Sequence, residues 1–227
     1  MSSGVRLILF DVDGTLVDSQ TDIVGAMNAA FDGLQLIAPD RAAILSIVGL
    51  SLDQAMARLA PDHSLERRNA LVANYKQAYN AQTVAKGPEG SAPLYPGARA
   101  VLEQLAHIPD VLLGVATGKS KRGLDALLSA HALEQFFVTR QVADHHPSKP
   151  HPSMITTAMR ETGVDAVDTV MIGDTSYDMD MARAAGVGAI GVSWGYHARP
   201  ALRAAHHIID SWAALPNKLD TIWKTPT

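Results

Sequence analysis

The chain has 227 residues, a formal net charge of -4 and no cysteine. Its length suits one sizeable domain, or a core domain that carries a smaller insertion. The lack of cysteine excludes disulfide bonds and thiolate chemistry, and the net negative charge argues against a broad basic surface for nucleic acid.

The first apolar run, at residues 5–10, is interrupted by Arg6 and followed by Asp11. It is too short to span a bilayer and lacks the small-residue cleavage site of a signal peptide. We therefore expect a cytoplasmic protein that has neither a membrane nor a nucleic acid as its partner.

Short β-branched runs alternate with longer amphipathic stretches along the chain. This alternation is typical of an α/β fold built on a parallel sheet, here a Rossmann-like core. The runs predict strands at about residues 5–10, 111–116, 169–172 and 187–192, with a shorter one near 136–138.

Helices are expected between these strands, and two glycines mark where helices end. Gly163 and Gly186 stand at the positions where helix C-caps are expected. The amphipathic stretches predict helices near residues 97–107, 121–131, 152–162 and 177–185.

The pattern changes after the first strand, because residues 18–92 contain no strand-like run. Apolar residues such as Ile23, Met27 and Phe31 recur there at helical spacing. We predict a helical cap domain over residues 18–92, inserted into a core domain of residues 1–17 and 93–227. The Gly- and Pro-rich stretch at residues 86–97 indicates the hinge that returns to the core.

Polar residues follow four of the predicted strands. In an open parallel sheet, ligands bind beyond the carboxyl ends of the strands, so we expect these side chains to share one crevice. Each segment alone also fits an ordinary turn, a helix N-cap or a surface lysine. In chain order the residues are Asp11 and Asp13, then Thr117, Gly118 and Lys119, then Lys149, and finally Asp174 and Asp178.

Such a cluster suits Mg²⁺ together with a phosphoryl group. Mg²⁺ prefers a few carboxylate or carbonyl oxygens, and carboxylates this close would repel one another without a cation. Lys149, Thr117 and the backbone N–H groups of the turn around Gly14 are suited to hold phosphate. Gly14 would also permit the bend that aims Asp13 toward a leaving group.

The segments FDVDGTLVDS, GVATGKS, HHPSKPHPS and MIGDTSYDMD carry these residues. With them the chain resembles the haloacid dehalogenase-like superfamily, and within it the phosphoglycolate phosphatase-like branch that has a helical cap after the first strand. The segments occur in the family's order, and the resemblance covers essentially the whole length.

The resemblance implies a role for each residue. Asp11 would be the nucleophile that forms an aspartyl-phosphate, and Asp13 the general acid and then the base. The metal would take a carboxylate oxygen of Asp11, the backbone carbonyl of Asp13 and the carboxylate of Asp174. Asp178 would be either a further ligand or a residue that orients the others.

The resemblance also implies that Thr117 and Lys149 bind the phosphoryl group, with backbone contacts at Gly14 and Gly118. Within the cap, Gly49 and Ser51 lie at a helix junction that could reach toward the phosphoryl site. An ordinary turn between helices, with Ser51 as N-cap, explains this junction equally well.

We expect a Mg²⁺-dependent phosphatase that acts on a small phosphorylated metabolite, with 2-phosphoglycolate as the first candidate. A phosphosugar mutase of the β-phosphoglucomutase type and a pyrophosphatase remain alternatives. A signalling receiver domain without turnover uses similar groups, but about 75 residues of insertion would be an uncommon length for a mere connection. The oligomeric state is left open.

Overall fold

One six-stranded parallel sheet organises the computed structural model, which describes residues 4–224. The strands lie in the order β3-β2-β1-β4-β5-β6, and every neighbouring pair is parallel. The strands are β1 (Arg6–Phe10), β2 (Val111–Thr117), β3 (Phe137–Val142), β4 (Thr169–Gly173), β5 (Gly188–Val192) and β6 (His207–Ile209).

Helices cover both faces of this sheet, as an α/β fold requires. Helices α6, α7 and α10 contribute buried residues to the core on one face, whereas α8 and α9 contribute to the core on the other. These helices are α6 (Ala98–Ala106), α7 (Lys121–Ala130), α8 (Ser153–Thr162), α9 (Ser176–Ala185) and α10 (Leu215–Lys224).

The central strand β1 is apolar because both of its faces are covered. Leu7 and Leu9 belong to the core beneath α8 and α9, and Ile8 and Phe10 belong to the core on the opposite face. A central parallel strand therefore reads as a continuous apolar run rather than as an alternating one.

The four longer predicted strands and the four predicted helices are confirmed within one residue or so at each end. Gly163 and Gly186 end α8 and α9 in the left-handed conformation, each with φ of 70°. The α/β fold with a parallel sheet is likewise confirmed.

Three elements of the sheet domain differ from the prediction. Strand β3 extends to residue 142 rather than 138, because its buried Thr139 and Gln141 alternate with exposed Val138 and Arg140 and hide the apolar pattern. Strand β6 and helix α10 were not predicted. β6 has three residues, too few for a period-two pattern to be recognised.

The chain between β1 and α6 is helical, as predicted, and its helices α1 to α4 have a buried apolar cluster of their own. An isolated antiparallel β-bridge between Val17 and Leu94 holds the two ends of this helical segment side by side. The boundaries of a separate cap domain stay a prediction. The helices are α1 (Gln20–Asp32), α2 (Arg41–Ser46), α3 (Leu52–Leu59), α4 (Leu65–Lys86) and the short, unpredicted α5 (Pro88–Ser91).

Among residues 4–224, the structure contains no helix with the length and apolar character that crossing a membrane requires.

The covered faces of the sheet lead to a stability prediction. Leu102 of α6 is fully buried in the core that α6 shares with β2, whereas Leu65 of α4 is 67% exposed. We expect Leu102→Ala to lower the free energy of unfolding by about 2–5 kcal/mol because it leaves a cavity. Leu65→Ala, the matched control, should change it by less than about 0.5 kcal/mol. Urea unfolding measures both, and equal losses would contradict this placement of the core.

Candidate active site

The polar residues that follow the predicted strands meet at the carboxyl edge of the sheet. Asp11 comes directly after β1, Thr117 ends β2 and Asp174 comes directly after β4. Because β1 lies between β2 and β4, these three positions are adjacent in space. Lys149 reaches the same edge from the segment after β3, where its ammonium contacts Asp11.

Three carboxylates form the centre of the site. Asp11, Asp174 and Asp178 are buried, and one oxygen of each lies within 4.8 Å of the others. Burial raises the pKa of Asp11 to about 7, although Lys149 acts against this shift. Burial, with repulsion by Asp178 and Asp11, raises the pKa of Asp174 well above its ordinary value.

The donor set fits a divalent cation. Neither oxygen of Asp11 accepts a hydrogen bond of regular geometry from any residue that the structure describes. Asp11 therefore has two oxygens left to bind, and each Asp174 oxygen accepts a single hydrogen bond, which suits an ion that prefers oxygen ligands, such as Mg²⁺. A cation there would favour the ionised carboxylates, against the burial and mutual repulsion that raise the pKa values of Asp11 and Asp174.

Lys149 supplies the positive charge at this centre. Its Nζ lies 3.0 Å from Asp11 Oδ1 and 2.6 Å from Asp178 Oδ1, and the residue is 2% exposed. Burial alone would lower the pKa of Lys149, but Asp11 and Asp178 raise it above its ordinary value. The lysine is therefore a buried cation, not the surface residue that its local sequence would suggest.

Asp178 is held in place by the first turn of α9. Its Oδ2 accepts hydrogen bonds from the Thr175 backbone N–H at 3.0 Å and from Thr175 Oγ1 at 2.6 Å. These contacts form a capping box at the helix N-terminus. Oδ2 already accepts two hydrogen bonds and Oδ1 is paired with the Lys149 ammonium, so Asp178 is better suited to orient Lys149 than to bind a metal directly.

Two hydrogen bonds hold the Asp174 carboxylate, which in turn leaves no room for a side chain at position 14. Its Oδ1 accepts from Thr15 Oγ1 at 2.9 Å, and its Oδ2 accepts from the Tyr196 backbone N–H at 2.8 Å. Gly14 has φ of 83°, and a Cβ atom at this position would collide with the Asp174 carboxylate. Gly14 thus meets both a conformational and a spatial requirement.

The carboxylate of Asp13 lies apart from the three-carboxylate cluster. Its Oδ1 accepts from Ser19 Oγ at 2.6 Å, and Lys119 Nζ lies 3.0 Å from its Oδ2. The side chain is therefore separate from the candidate cation centre. A role for the Asp13 backbone carbonyl as a metal ligand stays a prediction.

Sequence reasoning assigned no role to Lys119, although it follows Thr117 at the end of β2. Its Nζ donates to Tyr79 Oη at 3.4 Å and lies 5.2 Å from the centre of the Tyr79 ring. The rule that ligands bind beyond strand ends did place Lys119 at the sheet edge, but its local sequence does not distinguish a buried partner of Asp13 from a surface lysine.

A cavity of about 980 Å³ opens above these residues. Asp11, Asp13 and Thr117 line it from the sheet, and Tyr75 and Tyr79 line it from helix α4. The site therefore faces a space that could hold more than a phosphate group.

The loop between α2 and α3 reaches the sheet edge. Gly49 and Ser51 line the cavity, and a Cβ atom at Gly118 would collide with the Gly49 backbone. The Ser51 backbone N–H donates to Ser148 Oγ at 2.8 Å, beside Lys149. The structure thus brings Gly49 and Ser51 to the site. Of the two sequence interpretations, a loop that reaches the site or an ordinary turn between helices, this placement favours the first.

Further hydrogen bonds join the helical segment to the sheet domain near the site. Tyr177 Oη donates to the Ser46 carbonyl oxygen at 2.9 Å, and His197 Nε2 lies 3.0 Å from the same oxygen. Arg58 in turn donates to Tyr177 Oη at 2.5 Å. These contacts hold the end of α2 against the start of α9.

The known proteins that this chain resembles are named as hydrolases or phosphatases. The family model described as haloacid dehalogenase-like hydrolase matches residues 8–192. The "Probable phosphatase IndB" of Dickeya dadantii is 39% identical and aligns over 91% of this chain and 90% of its own. The phosphoglycolate phosphatase of Rhodospirillum rubrum is 32% identical, over 92% of this chain and 89% of its own. A hydrolase from Pseudomonas syringae has a TM-score of 0.83 at 26% identity, covering 96% of this chain and 99% of its own.

The burial of Lys149 among carboxylates gives a prediction about stability. We expect Lys149→Met to lower the free energy of unfolding by about 3–5 kcal/mol near pH 8 without added metal, because buried carboxylates lose their counter-charge. The loss should shrink near pH 5.5, since Asp11 can then take up a proton. Urea unfolding at both pH values tests this.

Lys121→Met provides the control, because Lys121 is exposed. It should change the stability by no more than about 0.5 kcal/mol at either pH. A Lys149→Met variant as stable as the wild type near pH 8 would show that the ammonium does not neutralise this cluster.

Proposed function

The chain belongs to the haloacid dehalogenase-like hydrolase family, and we propose that it is a Mg²⁺-dependent phosphatase for a small phosphate monoester. The relatives named phosphoglycolate phosphatase make 2-phosphoglycolate the first substrate to test. One observation carries the proposal: the Asp11 carboxylate lacks hydrogen-bond partners in the described structure, yet contacts Lys149 and lies beside Asp174.

In the first proposed step, an oxygen of Asp11 attacks phosphorus. The new P–O bond gives an aspartyl-phosphate, and the bond from phosphorus to the ester oxygen breaks. Asp13 would donate a proton to the leaving alkoxide, since its carboxylate faces the cavity and not the carboxylate cluster.

In the second proposed step, water releases the phosphate. Asp13, now ionised, would take a proton from the water that attacks phosphorus. The Asp11–phosphorus bond breaks, inorganic phosphate forms and both carboxyl groups return to their starting states. Ser19 and Lys119 hold the Asp13 carboxylate and so fix its direction.

Asp11 and Asp174, with the backbone carbonyl of Asp13, would hold the Mg²⁺ ion. The bound ion would offset the negative charge where the Asp11 carboxylate meets the phosphate. Asp178 would act mainly by holding Lys149 against Asp11, because its own oxygens are already engaged.

The transferring phosphoryl group would be bound by residues from three strand ends. Lys149 would supply a charge and Thr117 a hydroxyl donor, while Gly14 and Gly118 would allow the backbone to approach. Each such contact strengthens as charge develops on the oxygens, so losing one can cost on the order of 100-fold in rate.

Residues 18–92 would act as a cap that excludes water and selects the substrate. Support comes from the cavity between α4 and the sheet edge and from the position of Gly49 and Ser51 in its wall. The hydrogen bond from Tyr177 to the Ser46 carbonyl oxygen suits a closed arrangement.

Membership of a hydrolase family, with a helical segment above Asp11, argues against a receiver domain. A mutase or a pyrophosphatase would use the same carboxylates and lysine. The three candidate activities therefore differ in their substrates and products, and an activity assay can distinguish them.

Purified protein should release phosphate from 2-phosphoglycolate in the presence of Mg²⁺ over many turnovers. Asp11→Asn should lower kcat by on the order of 10⁴-fold or more, because an amide cannot form the phosphoenzyme. A phosphate-release screen across phosphoglycolate, sugar phosphates, nucleotides and pyrophosphate measures this, with circular dichroism to verify the fold of the variant.

The screen separates the candidate activities. A mutase would release phosphate slowly and need a bisphosphate primer, and a pyrophosphatase would prefer pyrophosphate. Near-normal activity of Asp11→Asn on the best substrate would refute Asp11 as the nucleophile.

Mg²⁺ should also stabilise the protein, and more so at higher pH. The folded pKa of Asp11, about 7, lies above the ordinary 3.8, so the metal-free protein loses stability as the pH rises through this interval. Mg²⁺ offsets that loss and should add about 2.7 kcal/mol at about 100 times its Kd, with a smaller effect near pH 5.5, where protons compete.

Thermal unfolding with and without Mg²⁺ tests this. Asp174→Asn should abolish most of the Tm shift, whereas Asp32→Asn, which changes an exposed carboxylate on α1, should retain it. An equal Mg²⁺ shift in wild type and Asp174→Asn would place the ion elsewhere.

A further inference from the structure

A second largely buried lysine faces the cavity, apart from the one that contacts Asp11. The side chain of Lys119 is 9% exposed, and its Nζ lies 3.0 Å from Asp13 Oδ2. Lys119 lines the cavity beneath helix α4. Its position two residues after β2 places a largely buried positive charge beside the proposed acid, Asp13.

The ammonium has donor capacity to spare. A lysine ammonium carries three N–H donors. In the described part of the chain, Lys119 directs these donors to two side chains, Asp13 and Tyr79. A third donor is therefore left for a molecule inside the cavity.

The surroundings keep this end of the cavity cationic and rich in donors. Burial would lower the pKa of Lys119, but Asp13 raises it above its ordinary value, so the ammonium stays charged. Burial raises the pKa of both Tyr75 and Tyr79, whose rings stack with centroids 5.9 Å apart. Both phenols thus stay neutral, and a neutral phenol can donate a hydrogen bond.

The position of Lys119 relative to the reaction limits what it can bind. Asp13 would hydrogen-bond the ester oxygen of the leaving group, and Lys119 contacts that same carboxylate. A substituent one or two atoms beyond the ester oxygen therefore lies within reach of the ammonium. The phosphoryl group itself would lie on the other side, with Lys149.

We propose that Lys119 binds an anionic group on the leaving alcohol, so that the preferred substrates are phosphate monoesters with a carboxylate attached to the carbon next to the ester oxygen. This inference rests on the proposed phosphatase function and adds a residue that selects the substrate. Two lysines would then divide the substrate between them: Lys149 at the phosphate and Lys119 at the carboxylate.

A purely structural role for Lys119 predicts something different. If the ammonium only fixes Asp13, its removal would slow all phosphate esters by the same factor. If it binds the carboxylate, removal would slow the anionic ester much more than a neutral one. The ratio of the two rates therefore separates the two roles, because any effect through Asp13 cancels.

The experiment measures kcat/KM for 2-phosphoglycolate and for 2-hydroxyethyl phosphate, a neutral analogue of similar size. The wild type should prefer 2-phosphoglycolate by about 100-fold, as expected for one charged hydrogen bond in a site shielded from water. Lys119→Met should reduce this preference to less than about fivefold. Lys121→Met removes an exposed charge two residues away and should leave the preference unchanged.

An unchanged preference in Lys119→Met would overturn the inference, as would a wild type that hydrolyses the neutral ester as well as the anionic one. A wild type that releases phosphate from no ester would instead refute the proposed function itself. If the Met variant does not fold by circular dichroism, Lys119→Gln, which keeps a donor for Asp13 but lacks the charge, is measured against the same two esters.

Discussion

The arrangement depends on one buried electrostatic balance: three carboxylates share a small volume with a single ammonium. Asp11, Asp174 and Asp178 are taken out of water by the sheet and its helices, and Lys149 is the cation that contacts two of them. One positive charge does not neutralise three negative ones, and burial, together with repulsion by Asp178, raises the pKa of Asp11 despite Lys149. The centre is thus predisposed to take up a cation, a proton or both.

Rigid elements hold this balance in place. Asp11 and Asp174 follow adjacent parallel strands, so the distance between them is set by the sheet and not by a flexible loop. Asp178 belongs to the capping box of α9, where one carboxylate both begins the helix and holds Lys149. Groups fixed before a ligand arrives need not reorganise during reaction, which is the usual origin of strong electrostatic stabilisation.

The helical segment forms a wall of the cavity above the sheet edge and packs largely on its own. Its helices have their own apolar cluster, separate from the two cores that flank the sheet. Polar contacts, such as the one from Tyr177 to the Ser46 carbonyl oxygen, join it to the sheet near the site. Tyr177 and Tyr196 of the sheet domain also pack against the apolar cluster of the helical segment. Such a limited junction between two apolar cores suits the proposed cap, which would admit a substrate and then shield it from water.

The sequence by itself determined the parallel sheet, the helical insertion and the identity of most residues at the sheet edge. It could do so because the carboxyl ends of parallel strands lie at one edge of the sheet. The backbone alone therefore places residues such as Asp11, Thr117 and Asp174 close together. It did not determine the length of β3 or the existence of β6, where burial on an edge strand leaves too short or too mixed a pattern.

Only the tertiary structure decided which charges pair. Lys149 could be a surface lysine by its local sequence, and its contact with Asp178 depends on the packing of α9 against β4 and β5. The contact of the Lys119 ammonium with Tyr79 depends in the same way on where α4 lies. Local sequence sets backbone preference and periodicity, but the partner of a buried charge depends on which distant side chain shares the same water-free volume.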